Sequence, residues 1–231
     1  MGMSYNPPGI LSPAEVQTRS FIQKVYTWMS VGLAVTGACA MFMASDPRMI
    51  VALVQTKILF YGLMIAQFAL VIYLSGWVRT MDVATARAVF VFYSALTGVT
   101  MSVIFLIYTR DSIASTFFIT AGLFGAMSAY GHLTKSDLTS MGSFMFMGLI
   151  GVILASLVNW FIQSPAISWA LSIMSVIIFT GLTAYDTQKL KAMSADGDGN
   201  GNLAISGALT LYLDFINLFL SLLRLTGRRR D

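Results

Sequence analysis

The stretch AISGALTLYLDFINLFLSLL (204–223) carries a single charge, Asp214, in twenty residues. As a helix it reaches ~30 Å, the thickness of the hydrocarbon core of a bilayer. Similar apolar runs lie at 25–45, 58–78, 88–109, 112–131, 139–162 and 167–190. Each is near the ~20 residues a transmembrane helix needs. The separators are short and polar: Asp46-Pro47-Arg48, Arg79 to Arg87, Arg110-Asp111, His132 to Asp137 and Ser164-Pro165. Such connections predict an all-α polytopic membrane protein, a bundle of seven antiparallel transmembrane helices. The chain divides into a polar N-terminal tail (1–24), a transmembrane domain (25–225) and a basic C-terminal tail (226–231).

The composition agrees. Only 24 of 231 residues are Asp, Glu, Lys or Arg, against 57% hydrophobic residues and a mean hydropathy of +0.76. A soluble domain of this length carries about a quarter charged residues, roughly 58. The deficit excludes a water-soluble enzyme, a disordered chain, a nucleic-acid binder and a coiled coil. One cysteine, Cys39, and one histidine, His132, exclude a disulfide framework, a cysteine zinc cluster and bis-histidine haem ligation. No cofactor is expected. Ser12-Pro13-Ala14-Glu15 has the form of a helix start, and the first 24 residues lack the pattern of a signal peptide. Membrane lipid is the default partner, with Arg224, Arg228, Arg229 and Arg230 near anionic headgroups. Lys and Arg tie at seven on each side of the membrane, so the positive-inside rule does not orient the chain.

Charges inside a span are costly and mark function. Of ten acidic residues, two lie within spans: Asp186 near the end of the sixth and Asp214 in the middle of the seventh. If the sixth helix runs to Ala192 and the seventh starts near Gly207, the two lie ~9 and ~10 Å inside the same end. A start at Asn202 would sink Asp214 by a further ~7 Å. Thr210, Asp214, Asn217 and Ser221 form a polar stripe on the seventh helix. Ser172, Ser175, Thr183 and Asp186 do so less regularly on the sixth. Hydroxyls of this kind also serve as helix-packing contacts. Two carboxylates in one low-dielectric site share a proton or bind a cation. The pair is therefore a candidate proton sensor, a candidate calcium site, or both. Arg79 is the best-placed basic partner; its ordinary alternative is an interfacial arginine.

The sequences GLTAYDTQKLKAM (181–193) and LYLDFINLFLSLLRL (211–225) resemble the paired signatures of the Bax inhibitor family, also called the lifeguard or transmembrane Bax inhibitor motif family. RSFIQKVYTWMSVGLAVTG (19–37) is similar to the opening of its members. The resemblance runs from Arg19 to Leu225. It implies seven helices with the last surrounded by the other six, and a pH-sensitive calcium leak gated by a di-aspartyl unit, here Asp186 and Asp214. It implies that an arginine at the end of the second helix, here Arg79, bonds an aspartate in the closed state, although the loop spacing also admits Arg87. It further implies a cytoplasmic N-terminus and an FtsH-type membrane protease as a partner, while a compact chain without an organelle signal points to a bacterial inner membrane.

Other readings compete. An intramembrane aspartyl protease also needs two facing aspartates, but Leu211-Tyr212-Leu213-Asp214 stands where its Gly-x-Gly-Asp belongs. A rhomboid protease lacks its Gly-x-Ser-Gly and in-membrane His, with His132 placed in a short loop. A retinal protein lacks a lysine in the seventh helix. Asp196-Gly197-Asp198-Gly199-Asn200-Gly201 matches half of an EF-hand loop, but Gly207 replaces the bidentate glutamate; a soluble turn is the plainer reading. A non-conducting regulator needs the same bundle as a leak. The expected mechanism is a population shift. The path is closed with the aspartates sharing a proton and one bonded to Arg79, and opens when that arrangement is lost. The competition between Arg79 and the proton sets the direction of the pH response.

Overall fold

The computed structural model describes residues 13–195 and 201–230, less the side chains of residues 13–15, 79 and 195. In chain order its helices are α1 (Pro13–Ser45), α2 (Pro47–Gln55), α3 (Lys57–Trp77), a 3-10 turn (Val78–Thr80), α4 (Val83–Met101), α5 (Ile104–Ile107), α6 (Arg110–Leu133), α7 (Thr139–Ile162), α8 (Pro165–Ala195) and α9 (Gly201–Thr226). Among the described residues, seven spans are long and apolar enough to cross a membrane. They are α1, α3, α4 with α5, and α6 to α9, and each matches one of the predicted runs to within two residues or contains it. The chain is an all-α integral membrane protein.

Local chemistry sets the boundaries. Asp46 and Asp82 accept the amides of Arg48 and Ala84, capping α2 and α4. Thr109 accepts the amide of Ser112 and caps α6. Gln163 ends α7 in the left-handed region, φ 54°. Two elements differ from expectation. The Asp46-Pro47-Arg48 separator opens a further helix, α2, which turns Ile50 and Leu53 inward and leaves Met49, Val51 and Val54 exposed. The run 88–109 is not one helix: it breaks after Met101, where the Ser102 hydroxyl donates to the Val99 carbonyl at 2.6 Å.

α9 is the core of the bundle. Ala204, Ile205, Ala208, Leu211, Tyr212, Leu218 and Leu223 are all buried along it. It is central, as expected, but the other six spans do not all surround it. It packs against α1, α4, α6 and α8, while α3 lies chiefly on α4 and α7 on α8. Small residues allow the close crossings. A Cβ on Gly131 of α6 would strike the Ala184 carbonyl of α8, and one on Gly142 of α7 would strike the Tyr185 ring.

Candidate functional site

α8 and α9 are antiparallel, and Gly207 fixes their register: a Cβ there would meet Leu190 Cδ2 at 2.7 Å. From that level Asp214 lies seven residues along α9 and Asp186 lies four residues back along α8. The offset is three residues, or about 4.5 Å. Side chains tilt toward the N-terminus of their own helix. In antiparallel helices the two aspartates therefore lean toward each other and close this gap. Their carboxyl groups face one another within hydrogen-bonding reach. Asp214 is 5% exposed, and its Oδ2 is buried without a hydrogen-bond partner. Asp186 is half-buried, with the Lys189 ammonium one turn further along α8 within Coulombic range.

The meeting holds although the depths differ from those expected. α9 starts at Gly201 instead of Gly207, and α8 runs to Ala195 instead of Ala192. The start of α9 is not at the surface: Asn202, Leu203, Ala204 and Ile205 are buried, and Asn202 Nδ2 donates to the Met81 carbonyl at 2.5 Å. Helix ends thus do not mark a common depth, and packing register sets the alignment.

The supporting polar face behaves differently. Thr183, Thr210 and Ser221 donate to the carbonyls of Phe179, Ser206 and Asn217, four residues back on their own helices. Asn217 Nδ2 does the same to Leu213. Among the described residues none of them hydrogen-bonds the carboxyl pair. Ser221 also takes a bond from Arg224. Arg79 lies in the 3-10 turn, an element packed on α9, and its side chain is outside the described residues. Arg87 is directed elsewhere: its guanidinium stands 5.2 Å over the Trp28 ring of α1. The EF-hand-like segment 196–200 lies outside the described residues. His132 belongs to the last turn of α6, not to a loop, and its carbonyl accepts Lys191 Nζ at 2.7 Å. Among the described residues no cluster of three or more His, Cys, Asp or Glu is placed to hold a metal ion.

Several structural partners escape sequence reading. Gln188 accepts the Leu138 amide and donates to the Ser136 carbonyl, fastening the α6–α7 connection to α8. On the face of α9 away from Asp214, Tyr212 is fully buried. Its hydroxyl lies 2.7 Å from the Thr36 hydroxyl, which is also 2.9 Å from the carbonyls of Ser94 and Gly32. Thr36 has one proton, given to a carbonyl, so Tyr212 is the donor to Thr36. The Tyr212 ring meets Phe90 and Tyr93 edge-on. Nothing in the spacing of these residues distinguishes them from ordinary apolar packing.

The profile of the family described as "Inhibitor of apoptosis-promoting Bax1" matches residues 18–231. The Escherichia coli protein named "Inner membrane protein YbhL" is 51% identical over 217 residues, covering 92% of this chain and 93% of the relative. An uncharacterized Borreliella burgdorferi protein is 47% identical over 91% of this chain and 93% of its own. A Rickettsia prowazekii protein is 45% identical over 92% and 91%. The two aspartate signatures thus sit within a match that covers nearly the whole sequence, and the chain belongs to the Bax inhibitor family.

Proposed function

We propose that the protein is a non-enzymatic, pH-responsive leak for calcium in a bacterial inner membrane, with its N-terminus in the cytoplasm and Asp186 and Asp214 as sensor and gate. The observation that carries this reading is the facing carboxyl pair at the α8–α9 seam, with Asp214 buried and its Oδ2 unpartnered. Two carboxyl groups so placed hold a proton between them, repel, or receive a cation. A resident calcium site draws six to eight oxygen ligands. Two carboxylates supply too few, which suits a cation in passage better than a structural ion. Arg79, on a turn packed against α9, would bond an aspartate in the closed arrangement. The E. coli relative's name supports the inner membrane.

In the proposed mechanism the proton changes the sign of the interaction across the seam. Sharing it attracts α8 to α9, and losing it makes them repel. Differential stability of the two arrangements shifts the population between closed and conducting bundles. The test is calcium entry into proteoliposomes over a range of pH. A protein-dependent flux that changes with pH is expected. A well-folded protein that passes no calcium at any pH would instead assign it to the non-conducting class, such as a regulator bound by an FtsH-type protease.

A further inference from the structure

α1 and α6 both lie against α9 but scarcely touch each other. The crevice between them holds a cavity of about 600 Å³ toward the C-terminal end of α9, a size that accommodates a small amphiphile. Its floor is Leu33, Phe117 and Phe215, the three residues it shares with a second cavity of about 590 Å³ further along the same crevice. Met41 and Phe118 on its rim are 62% and 72% exposed, so it opens sideways to the lipid.

Its depth and its charge are both informative. From Leu33 to Ser45 the α1 wall is twelve residues, or about 18 Å. One leaflet of hydrocarbon is half of ~30 Å, about 15 Å, before the headgroup region begins. The cavity is therefore one acyl chain deep. Arg110 lines its mouth and is exposed. The tail brings more positive charge there: the Thr109 amide donates to the Arg228 carbonyl, and Arg230 Nη1 donates to the Phe105 carbonyl at 3.0 Å. An ion in this cavity would meet apolar walls and lose its hydration without replacement. A chain with a negative headgroup satisfies both ends.

We propose that this cavity binds one acyl chain of an anionic phospholipid, with the phosphate on Arg110. The proposal does not depend on calcium conduction. It is tested by native mass spectrometry of the detergent-purified protein, supplied with phosphatidylglycerol or phosphatidylcholine of equal chain length. The wild type should retain one phosphatidylglycerol in preference to phosphatidylcholine. Arg110→Gln should lower phosphatidylglycerol retention about fivefold, one arginine's attraction to an anionic headgroup, and leave phosphatidylcholine unchanged. Gly37→Leu should lower both severalfold. Gly37 lines the cavity, a Cβ there meets nothing within 4 Å, and leucine favours helix over glycine, so the fold is kept while the cavity fills. Equal retention of the two lipids by the wild type, or phosphatidylglycerol retention indifferent to either substitution, would overturn the assignment.

Discussion

Asp214→Asn is the most demanding test of the carboxyl pair. The two carboxyl groups are within hydrogen-bonding reach, and Asp214 is buried. Two like charges at ~4 Å with an effective dielectric of ~20 repel by about 4 kcal/mol. Since ~1.4 kcal/mol is a factor of ten, one proton at this seam biases a two-arrangement equilibrium by up to about a thousandfold. Asparagine keeps the shape of aspartate, carries no charge, and donates an amide hydrogen where the protonated carboxyl would donate its own. It therefore imitates the proton-sharing arrangement at every pH. Calcium flux by the variant should be flat over about pH 5 to 8 and equal to the wild-type flux at the acid end. Thermal stability should not fall, because a like-charge contact has been removed. Flux into dye-loaded proteoliposomes gives the profile, and a melting curve in detergent verifies the fold. Asp186→Asn and the double variant should flatten the profile equally, since the pair acts as one unit. A variant that keeps the wild-type pH profile, or flattens at the alkaline level, refutes the mechanism.

Three further outcomes follow from the geometry. Gly131→Val forces a Cβ onto the Ala184 backbone and should cost about 1–3 kcal/mol, seen as a lowered melting temperature, whereas Gly125→Ala, where a Cβ meets nothing within 4 Å, should be neutral. Tyr212→Phe removes the bond to Thr36 and should cost about 1 kcal/mol; a loss as large as that of Tyr212→Ala, about 3–5 kcal/mol, would show that the hydroxyl is not its separable part. Asp137, at the exposed α6–α7 connection, accepts both the hydroxyl and the amide of Thr139, and these bonds hold its carboxyl below the usual range. A depressed carboxyl stabilises the folded loop above its unfolded pKa and loses that contribution as pH falls through the folded value. Hydrogen exchange at Thr139 should accordingly rise, beyond its intrinsic pH dependence, only on strong acidification, and Asp137→Ala should abolish that step.

The membrane spans were legible because water and hydrocarbon differ so strongly that twenty apolar residues admit one reading. The aspartates were legible for the same reason, as charges where charge is costly. What depended on packing was hidden. Gly207 looks like a helix boundary, yet it lies inside α9 because Leu190 and Val25 occupy the space a side chain would need. The polar stripe of Thr210, Asn217 and Ser221 suggested contacts between helices, but each group finds a partner four residues away on its own helix. Sequence spacing does not separate these alternatives, because both use the same face. The break at Ser102 has no glycine or proline to announce it, and α2 is too short for its period to stand out. Tyr212 was lost among apolar neighbours, since only the fold brings it to Thr36, 176 positions away.

The distribution of polar bonds shows where a charge change at the pair can act. Tyr212 ties α9 to Thr36 of α1, and Thr36 in turn reaches Ser94 of α4. Asn202 ties α9 to Met81, in the connection between the 3-10 turn and α4, and Gln67 ties α3 to Thr100 of α4. A second set is joined separately: Thr187 to Ser128, Lys191 to the His132 carbonyl, and Gln188 to the α6–α7 connection. Between the set of α1, α3, α4 and α9 and the set of α6, α7 and α8, the contacts are largely apolar, as where Phe117 and Phe124 meet Phe215 edge-on. Such contacts tolerate sliding better than directional bonds do. Among the described residues, the hydrogen bonds that cross the divide are those joining Arg228 to Thr109 and Ser112, past the C-terminal end of α9. The carboxyl pair crosses it about twenty ångströms away along α9, at about 1.5 Å per residue. The tail is thus a fixed point, and under the proposed mechanism repulsion at Asp186 and Asp214 would act on the seam at the end remote from the tail.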